Sequence, residues 1–139
     1  MRFTLSTRNQ QRVVQQLRRF APEVRKVIKD TAGEYAAKEY SLAYDLCPKD
    51  TFFMADHLRL SFSRGGYAYE LGWDESDFAA AGRSFYPVFQ EFGYRHWRSG
   101  RFIQNPSLFP ARNTMRPRFL RALARNIRQA TRRAHRVRR

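Results

Sequence analysis

The sequence predicts an α+β fold with long N-terminal helices, a small antiparallel β-sheet built on a hairpin, and a long C-terminal helix. Apolar residues recur at three- and four-residue steps over residues 23–46 and over about 115–139, as in helices with one buried face. Between them, apolar and polar residues alternate on both sides of Gly65 and Gly66, which is typical of two strands joined by a tight turn. With 139 residues, 42% of them hydrophobic, the chain is expected to form a single domain over residues 1–139.

The N-terminal part of the chain is predicted to be mainly helical. Residues 1–5 alternate weakly and indicate a short extended arm, after which Ser6 or Thr7 can cap a first helix. A second helix is predicted to follow Pro22, which suits a first helical turn, and to end before Pro48. The side chains expected on the buried sides of these helices are Val13, Val14, Leu17, Phe20, Val24, Val27, Ile28, Thr31, Tyr35, Leu42 and Leu46.

The middle of the chain is predicted to be a β-hairpin between two short segments. Residues 49–56 are expected to form a loop, and the hairpin is expected over about 57–73. Asp74 and the acids after it are expected to cap a short helical piece near Phe78. The residues expected on the apolar face of the two strands are Leu58, Leu60, Phe62, Tyr67, Tyr69, Leu71 and Trp73.

An aromatic and apolar stretch precedes the last helix. Residues 85–92 have helical spacing and enclose one acid, Glu91, and Gly93 then marks a turn through positive φ. A polar and basic loop is expected over 94–105, and residues 103–109 are expected to be extended. A loop of this length between apolar segments is uncommon in a compact domain and is usually functional. The residues expected in the buried stripe of the last helix are Phe119, Leu120, Leu123, Ile127 and Ala130.

Charge is the strongest signal in the composition. The formal net charge is +15 and the sequence pI is about 11.1, which is far beyond what solubility requires and implies a polyanionic neighbour. DNA, RNA, an anionic membrane and an acidic protein surface all remain open at this point. In the last helix and tail, arginines stand at four-residue spacing without one Asp or Glu, and their mutual repulsion favours an anionic partner. The candidates for contact with DNA or an acidic partner are Arg121, Arg125, Arg128, Arg132, Arg133 and Arg136.

The residue patterns do not indicate catalysis, a metal site or a cofactor. Cys47 cannot form an internal disulfide and has no activating partner in the sequence. The three histidines stand on separate predicted elements, so a nuclease that uses His57, His96 and Glu91 is only a subsidiary hypothesis. Glu91 is expected to accept hydrogen bonds from loop backbone or to pair with an arginine. The sequence lacks an apolar run of membrane-spanning length and a secretory signal, so the protein is expected in a cytoplasm until it is assembled.

Two motifs resemble those of a known family. The first comprises residues 85–93, which are aromatic-rich and end in Glu-Phe-Gly, followed by residues 109–111, Phe-Pro-Ala, at the start of the last helix. The second comprises residues 47–51, Cys-Pro-Lys-Asp-Thr, ahead of residues 58–62, Leu-Arg-Leu-Ser-Phe. In order and spacing, these motifs resemble the head–tail joining, or tail-completion, proteins of long-tailed double-stranded DNA phages.

The resemblance implies a small α+β subunit, without enzymatic activity or cofactor, in a ring of the virion neck or of the head-proximal tail. The chain departs from the family pattern in that no Gly follows Thr51 and residues 52–57 are inserted. The implied partners are further copies of the chain in a ring, expected to be a hexamer, other neck, connector and tail-terminator proteins, and packaged DNA that passes along the axis. The alternative is a stand-alone basic nucleic-acid-binding protein. The candidates for contacts with neighbouring subunits or partners are Glu91, Phe92, Gly93, Tyr94, Arg95, Trp97, Phe109 and Pro110.

Overall fold

The computed structural model describes the backbone of residues 2–5 and 22–137, and it has the predicted α+β class. The first predicted helix, which Ser6 or Thr7 was expected to cap, lies outside the described residues. The elements of the described part are, in chain order, β1 (Arg2–Leu5), α1 (Pro22–Leu46), α2 (Phe53–Asp56), β2 (Arg59–Ser63), β3 (Ala68–Asp74), α3 (Glu75–Ala80), α4 (Pro87–Phe92), β4 (Tyr94–Arg95), β5 (Phe102–Ile103) and α5 (Leu108–Val137).

Helices α1 and α5 form an antiparallel pair that carries the rest of the fold. Contacts near the start of α1 involve the far end of α5, whereas contacts near the end of α1 involve the residues that open α5. Small side chains lie at this boundary, which allows the two backbones to approach closely. The contacts along the pair are Ile28 with Ala130, Thr31 with Asn126, Tyr35 with Phe119, and Cys47 with Ser107.

The predicted hairpin is confirmed as the centre of a three-stranded antiparallel sheet. The strand order is β1-β3-β2, so the predicted N-terminal arm adds a strand along the free edge of β3. The turn over residues 64–66 has positive φ at Gly65 and Gly66, which explains why glycine suits both positions. Trp73 is buried at the end of β3, and its indole Nε1 donates a hydrogen bond to the Met54 carbonyl at 2.7 Å.

Some side chains that were expected in the core lie at the surface. Leu46, Phe62 and Leu120 are each about half exposed, although their spacing fits the buried faces. Alanines are buried in the two helices instead, and Ala43 of α1 and Ala111 of α5 belong to one core cluster. The buried alanines that the spacing of large apolar residues did not identify are Ala32, Ala36, Ala43, Ala111 and Ala122.

Two local expectations are corrected. The loop predicted over residues 49–56 contains the short helix α2. Residues 103–109 were expected to be extended, but only Phe102–Ile103 is a strand and α5 begins at Leu108 rather than near residue 115. The physical reason is a helix cap supplied from a distant part of the chain, described in the next subsection. Pro110 therefore lies in the first turn of α5, and Pro117 lies inside the helix.

A buried carboxylate in α1 was not recognised in the sequence. Glu39 is buried, and its Oε2 accepts a hydrogen bond of 2.5 Å from the Tyr69 hydroxyl in β3. Burial, together with this hydrogen bond, raises the pKa of the Tyr69 hydroxyl well above its ordinary value. The pair connects the sheet to α1 and requires that Tyr69 keep its proton.

The Tyr69–Glu39 pair gives a pH-dependent prediction. Above pH of about 10 the unfolded chain loses the Tyr69 proton while the folded chain retains it, so the free energy of unfolding falls as pH rises. Tyr69→Phe is expected to remove the contribution of this group to the decline in the free energy of unfolding. At neutral pH the variant is expected to be about 1 kcal/mol less stable, because the hydrogen bond to Glu39 is lost. Urea unfolding between pH 7 and about 11 should therefore show a flatter profile for the variant. Identical slopes for the two proteins would contradict the assignment.

The burial of residues 108 and 109 gives a second prediction. Leu108 is fully buried, whereas Phe109 is only partly buried and packs edge-on against Phe92 at a centroid distance of 5.3 Å. Leu108→Ala is expected to reduce the free energy of unfolding by about 2–5 kcal/mol. Phe109→Ala is expected to cost less, about 1–2 kcal/mol, because less apolar area leaves water on folding. Urea denaturation measures the free energy of unfolding of both variants. A larger loss of stability for Phe109→Ala than for Leu108→Ala would contradict the burial of these two side chains.

Candidate functional site

The Glu91 carboxylate lies at the start of helix α5 and is only 1% exposed. Its Oε1 accepts hydrogen bonds from the Ser107 amide at 2.6 Å, the Leu108 amide at 2.8 Å and the Ser107 hydroxyl at 2.8 Å. Its Oε2 accepts a longer hydrogen bond of 3.3 Å from the Phe109 amide. Glu91 therefore caps a helix that begins 17 residues later in the chain. The expectation that it accepts hydrogen bonds from loop backbone is confirmed.

This cap accounts for every backbone donor at the helix start. The first amides of a helix have no partner within the helix, and the helix dipole makes that end favourable for an anion. Three of these amides donate to Glu91, and the next residue, Pro110, has no N–H to satisfy. The Ala111 amide then makes the first helical bond, to the Ser107 carbonyl at 3.2 Å. A single buried carboxylate is thus sufficient to start α5 at Leu108.

Cys47 connects the end of α1 to the same point. Its buried thiol donates to the Ser107 hydroxyl, with a distance of 3.6 Å between Sγ and Oγ. Burial raises the pKa of the Cys47 thiol, which disfavours the nucleophilic thiolate. Ser107 lies between the thiol and the Glu91 carboxylate and bonds to both. The three side chains are named here the helix clasp: Cys47, Glu91 and Ser107.

Gly93 ends α4 and directs the chain into a second β-hairpin. Its φ of 85° and ψ of 161° belong to a region that is almost restricted to glycine. A Cβ atom at this position would lie 2.1 Å from Cζ of Phe102, so the aromatic ring occupies the space that a side chain would need. Gln104 and Asn105 then bond back to the carbonyls of Glu91 and Gln90. Residues 94–105, which were expected to be a loop, are therefore a hairpin anchored on α4.

The hairpin of β4 and β5 presents aromatic and basic side chains to solvent. Trp97 at its tip is 81% exposed, and Phe102 in β5 is 61% exposed. The Arg98 guanidinium lies over the Trp97 ring, 4.6 Å from its centroid. Phe89 and Phe92 of α4 are also about half exposed. Several large exposed aromatic side chains within one short stretch of chain are typical of an interaction surface.

A row of arginines covers the outer face of α5. Its members recur at three- and four-residue steps, so they share one face of the helix, away from Ala130, which packs in one cluster with Val24 and Ile28 of α1. At a rise of about 1.5 Å per residue the row is about 27 Å long. Arg133 is exposed but lies beside it. The arginine row comprises Arg118, Arg121, Arg125, Arg128, Arg132 and Arg136, all of which are exposed.

The predicted interface candidates separate into internal and external residues. Glu91 is buried in the helix clasp, so its selection as a surface contact is corrected: its lone acid character reflects a cap inside the domain. Gly93 serves the turn and Pro110 the start of α5. The candidates that remain exposed are Phe92, Arg95 and Trp97, whereas Tyr94, Phe109 and Pro110 are partly buried.

The residues considered for a nuclease have separate structural partners. Nδ1 of His57 lies 2.8 Å from the Phe53 carbonyl, and its ring stacks on the Phe53 ring at 4.0 Å. His96 bonds to Ser99 within the β4–β5 hairpin at 3.1 Å. Among the described residues there is no group of three or more His, Cys, Asp or Glu side chains that could hold a metal ion. The His135 side chain lies outside the described set.

Two important residues of this region were missed in the sequence. Ser107 could have been recognised as a helix cap, because it precedes an apolar pair and a proline that suits the first turn. Phe102 gave no comparable signal, since its contact with Gly93 depends on how the hairpin folds back. The exposed state of Phe89 likewise depends on the packing of α4.

Comparison of the chain with models of protein families, with curated protein sequences and with solved structures gives no match. Within the described residues, none of the helices combines the length and the apolar character needed to cross a lipid bilayer.

The helix clasp predicts a large effect of Glu91 on stability. Glu91→Ala leaves three amides and a hydroxyl without an acceptor in a buried site, so we expect a loss of about 3 kcal/mol in the free energy of unfolding. Glu91→Gln keeps one acceptor oxygen and is expected to lose less. The control is Glu34→Ala, which removes an exposed carboxylate paired with Lys38 and should cost under about 0.5 kcal/mol. Equal losses at Glu91 and Glu34 in urea unfolding would contradict the capping role.

Gly93 and Gly100 form a matched pair for a second test. Both have positive φ, but an added Cβ at Gly93 meets the Phe102 ring whereas one at Gly100 meets nothing within 4 Å. Gly93→Ala is expected to lower the free energy of unfolding by about 3 kcal/mol or more, and Gly100→Ala by about 1 kcal/mol. Thermal unfolding of the two variants separates the backbone cost from the clash. Equal destabilisation by alanine at Gly93 and Gly100 would contradict the close packing of the Phe102 ring on Gly93.

Proposed function

We propose that this protein is a structural virion component of a long-tailed double-stranded DNA phage, which joins the tail to the DNA-filled head. In this proposal the chain is one subunit of a ring in the neck or at the head-proximal end of the tail, and DNA passes along the ring axis. Its partners are further copies of itself, expected as a hexamer, and the connector and tail-terminator proteins on either side. It acts without a cofactor and without enzymatic activity.

The observation that carries the proposal is the meeting of the resembling motifs at one place. Cys47 begins the upstream motif, Glu91 ends the aromatic run, and the Phe-Pro-Ala motif over residues 109–111 opens the helix that Glu91 caps. Residues that are distant in the chain but belong to the two resembling motifs thus share one structural task. This favours a common scaffold over a chance similarity of short motifs.

The division between buried and exposed groups supports a structural role. The acid and the thiol that sequence reasoning considered for chemistry are both buried in the helix clasp and bonded to backbone or to Ser107. The exposed groups are aromatic side chains at the hairpin and arginines along α5, which are suited to contact with proteins and phosphates. A ring subunit requires both kinds of surface, one for its neighbours and one for the genome.

The decisive experiment is to locate the protein in assembled particles. Electron microscopy of particles labelled through this chain, or of particles from a deletion, should place it at the head–tail junction. We expect the deletion to give filled heads and separate tails. Complete, joined particles in the absence of the protein, or its restriction to the cytosol of infected cells, would refute the proposal.

The arginine row supports one alternative function, a stand-alone nucleic-acid-binding protein. Such a protein would bind duplex DNA tightly as an isolated monomer at physiological salt, whereas a neck subunit would bind weakly before assembly. Native mass and DNA affinity measured on the same sample separate the two. Submicromolar binding by a monomer that is absent from particles would favour the alternative.

The arginine row also gives a prediction that holds for either function. Arg125 lies in the middle of the row, so Arg125→Gln is expected to reduce the slope of log affinity against log salt concentration by about 0.9, as one phosphate contact is lost. The control is Arg64→Gln, which removes an exposed arginine in the turn of the three-stranded sheet. Fluorescence titration with duplex DNA at several salt concentrations measures both slopes. Equal changes for the two variants would contradict a role of the row in phosphate contact.

A further inference from the structure

The β4–β5 hairpin is an exposed ribbon that its own domain leaves largely uncovered. Within residues 2–5 and 22–137 its two strands pair only with each other, and a two-stranded ribbon is marginally stable in water unless something packs on it. Arg95, Arg98 and Arg101 are all exposed along it, together with the exposed Trp97 and Phe102. These five residues are named here the hairpin surface. It combines three positive charges with two large aromatic rings.

A second exposed surface, at the end of α1 and in the segment after it, carries three carboxylates. The Lys49 ammonium lies beside them, and the Arg83 guanidinium lies at the border, 3.5 Å from the Thr51 hydroxyl. Asp45, Asp50 and Asp56 are exposed, and within the described residues none of their carboxylates forms an ion pair or a hydrogen bond. Leu46 and Phe52 between them are also exposed. The nearby Lys49 ammonium lies over the rings of Tyr44 and Phe52, at 4.0 and 5.6 Å from their centroids. The acidic surface is defined by Asp45, Leu46, Asp50, Phe52 and Asp56.

Phe52 shows that the acidic surface is held in a costly conformation. Its φ of 54° and ψ of −6° are left-handed, which costs a residue other than glycine about 1–2 kcal/mol. Its ring is nevertheless 49% exposed, so burial within the domain returns only part of that cost. Backbone strain of this kind is concentrated at functional positions.

We propose that the hairpin surface of one copy of the chain docks on the acidic surface of a second copy. Three arginines then face three aspartates, and each side supplies two exposed apolar side chains for the centre of the contact. Because the two surfaces are different parts of the same chain, the contact is heterologous and repeats from copy to copy, which closes into a ring when the rotation allows it. The inference deepens the proposed function, on whose ring it rests, by naming the two surfaces that meet.

A second copy explains the two surfaces better than a nucleic acid does. Phosphates would attract the three arginines of the hairpin, but they would repel Asp45, Asp50 and Asp56 and leave that surface without a partner. A nucleic acid also has a suitable target elsewhere, in the arginine row of α5. A second copy carries both signs of charge on separate patches and can therefore satisfy both surfaces.

Reciprocal charge reversal tests the proposal on the purified full chain. The hairpin variant is Arg95→Glu with Arg98→Glu and Arg101→Glu, and the acidic variant is Asp45→Lys with Asp50→Lys and Asp56→Lys. Each variant alone presents like charges on its two surfaces and should lose self-association by at least about 100-fold in affinity. An equimolar mixture should assemble again, because both surfaces of the hairpin variant are then negative and both surfaces of the acidic variant are positive. Each surface of one variant therefore meets the opposite charge on the other. A chain with both sets of changes should also assemble.

The control makes the same change in net charge as the hairpin variant, but at other exposed positions. Lys26→Glu with Lys38→Glu and Arg64→Glu removes three positive charges outside both surfaces, and we expect its self-association to stay within about threefold of the unmodified chain. Sedimentation velocity over a concentration series measures all five proteins. Loss of association in the control, or failure of the mixture to assemble while both variants show the far-UV circular dichroism of the folded chain, would overturn the proposal.

Tryptophan fluorescence gives an independent measurement without charge reversal. The chain has two tryptophans, of which Trp73 is buried and Trp97 is 81% exposed, so a shift on association reports on Trp97. Emission should move to shorter wavelength as concentration rises, and Trp97→Ala should weaken association by about 10- to 100-fold. A wild-type chain that remains monomeric with unshifted emission up to about 1 mM would overturn the inference. Loss of DNA binding in the hairpin variant with unchanged self-association would also overturn it and assign the hairpin to a nucleic acid.

These outcomes are separable from those that test the proposed function. Self-association through the two surfaces by a protein that is absent from phage particles would sustain the inference and refute the neck role. A protein found at the head–tail junction whose ring tolerates both charge reversals would sustain the neck role and refute the inference.

Discussion

One carboxylate supports the arrangement of most of the described chain. Glu91 accepts hydrogen bonds from the amides at the start of α5. The Ser107 hydroxyl, which also bonds to Glu91, accepts a hydrogen bond from the Cys47 thiol at the end of α1. A helix start left without partners would be costly in this buried position, and an anion there also interacts favourably with the helix dipole. The position of α5 along α1 and the departure point of the β4–β5 hairpin both follow from this cap.

Acidic and basic residues are distributed unevenly along the chain. All twelve acidic residues lie between Glu23 and Glu91, and the chain after Glu91 contains no Asp or Glu. The hairpin and the outer face of α5 therefore lack acidic neighbours within their own segment. Both segments therefore carry net positive charge, whereas Glu91, the one acid at the boundary between the two halves, is buried and bonded within the fold.

Local patterns predicted local structure well. Helix α1 and the hairpin of β2 and β3 follow from periodicity and from Gly65 and Gly66, because helical and strand spacing are properties of neighbouring residues. The start of α5 was misplaced because its cap lies 17 residues earlier, and propensity near Met115 carries no sign of that contact. Phe102 was missed for the same reason, since the space it fills is created by Gly93 across the hairpin.

The sequence by itself determined the α+β class, the basic character of the last helix, and the importance of the Glu-Phe-Gly motif at residues 91–93. These features depend on composition and on short spacings, which the chain displays directly. Only the tertiary structure decided that Glu91 is buried while Trp97 is exposed. It also decided that the arginine row of α5 lies at the surface. The reason is that burial depends on which distant segments pack together, and that choice is made by the fold as a whole rather than by any one stretch of residues.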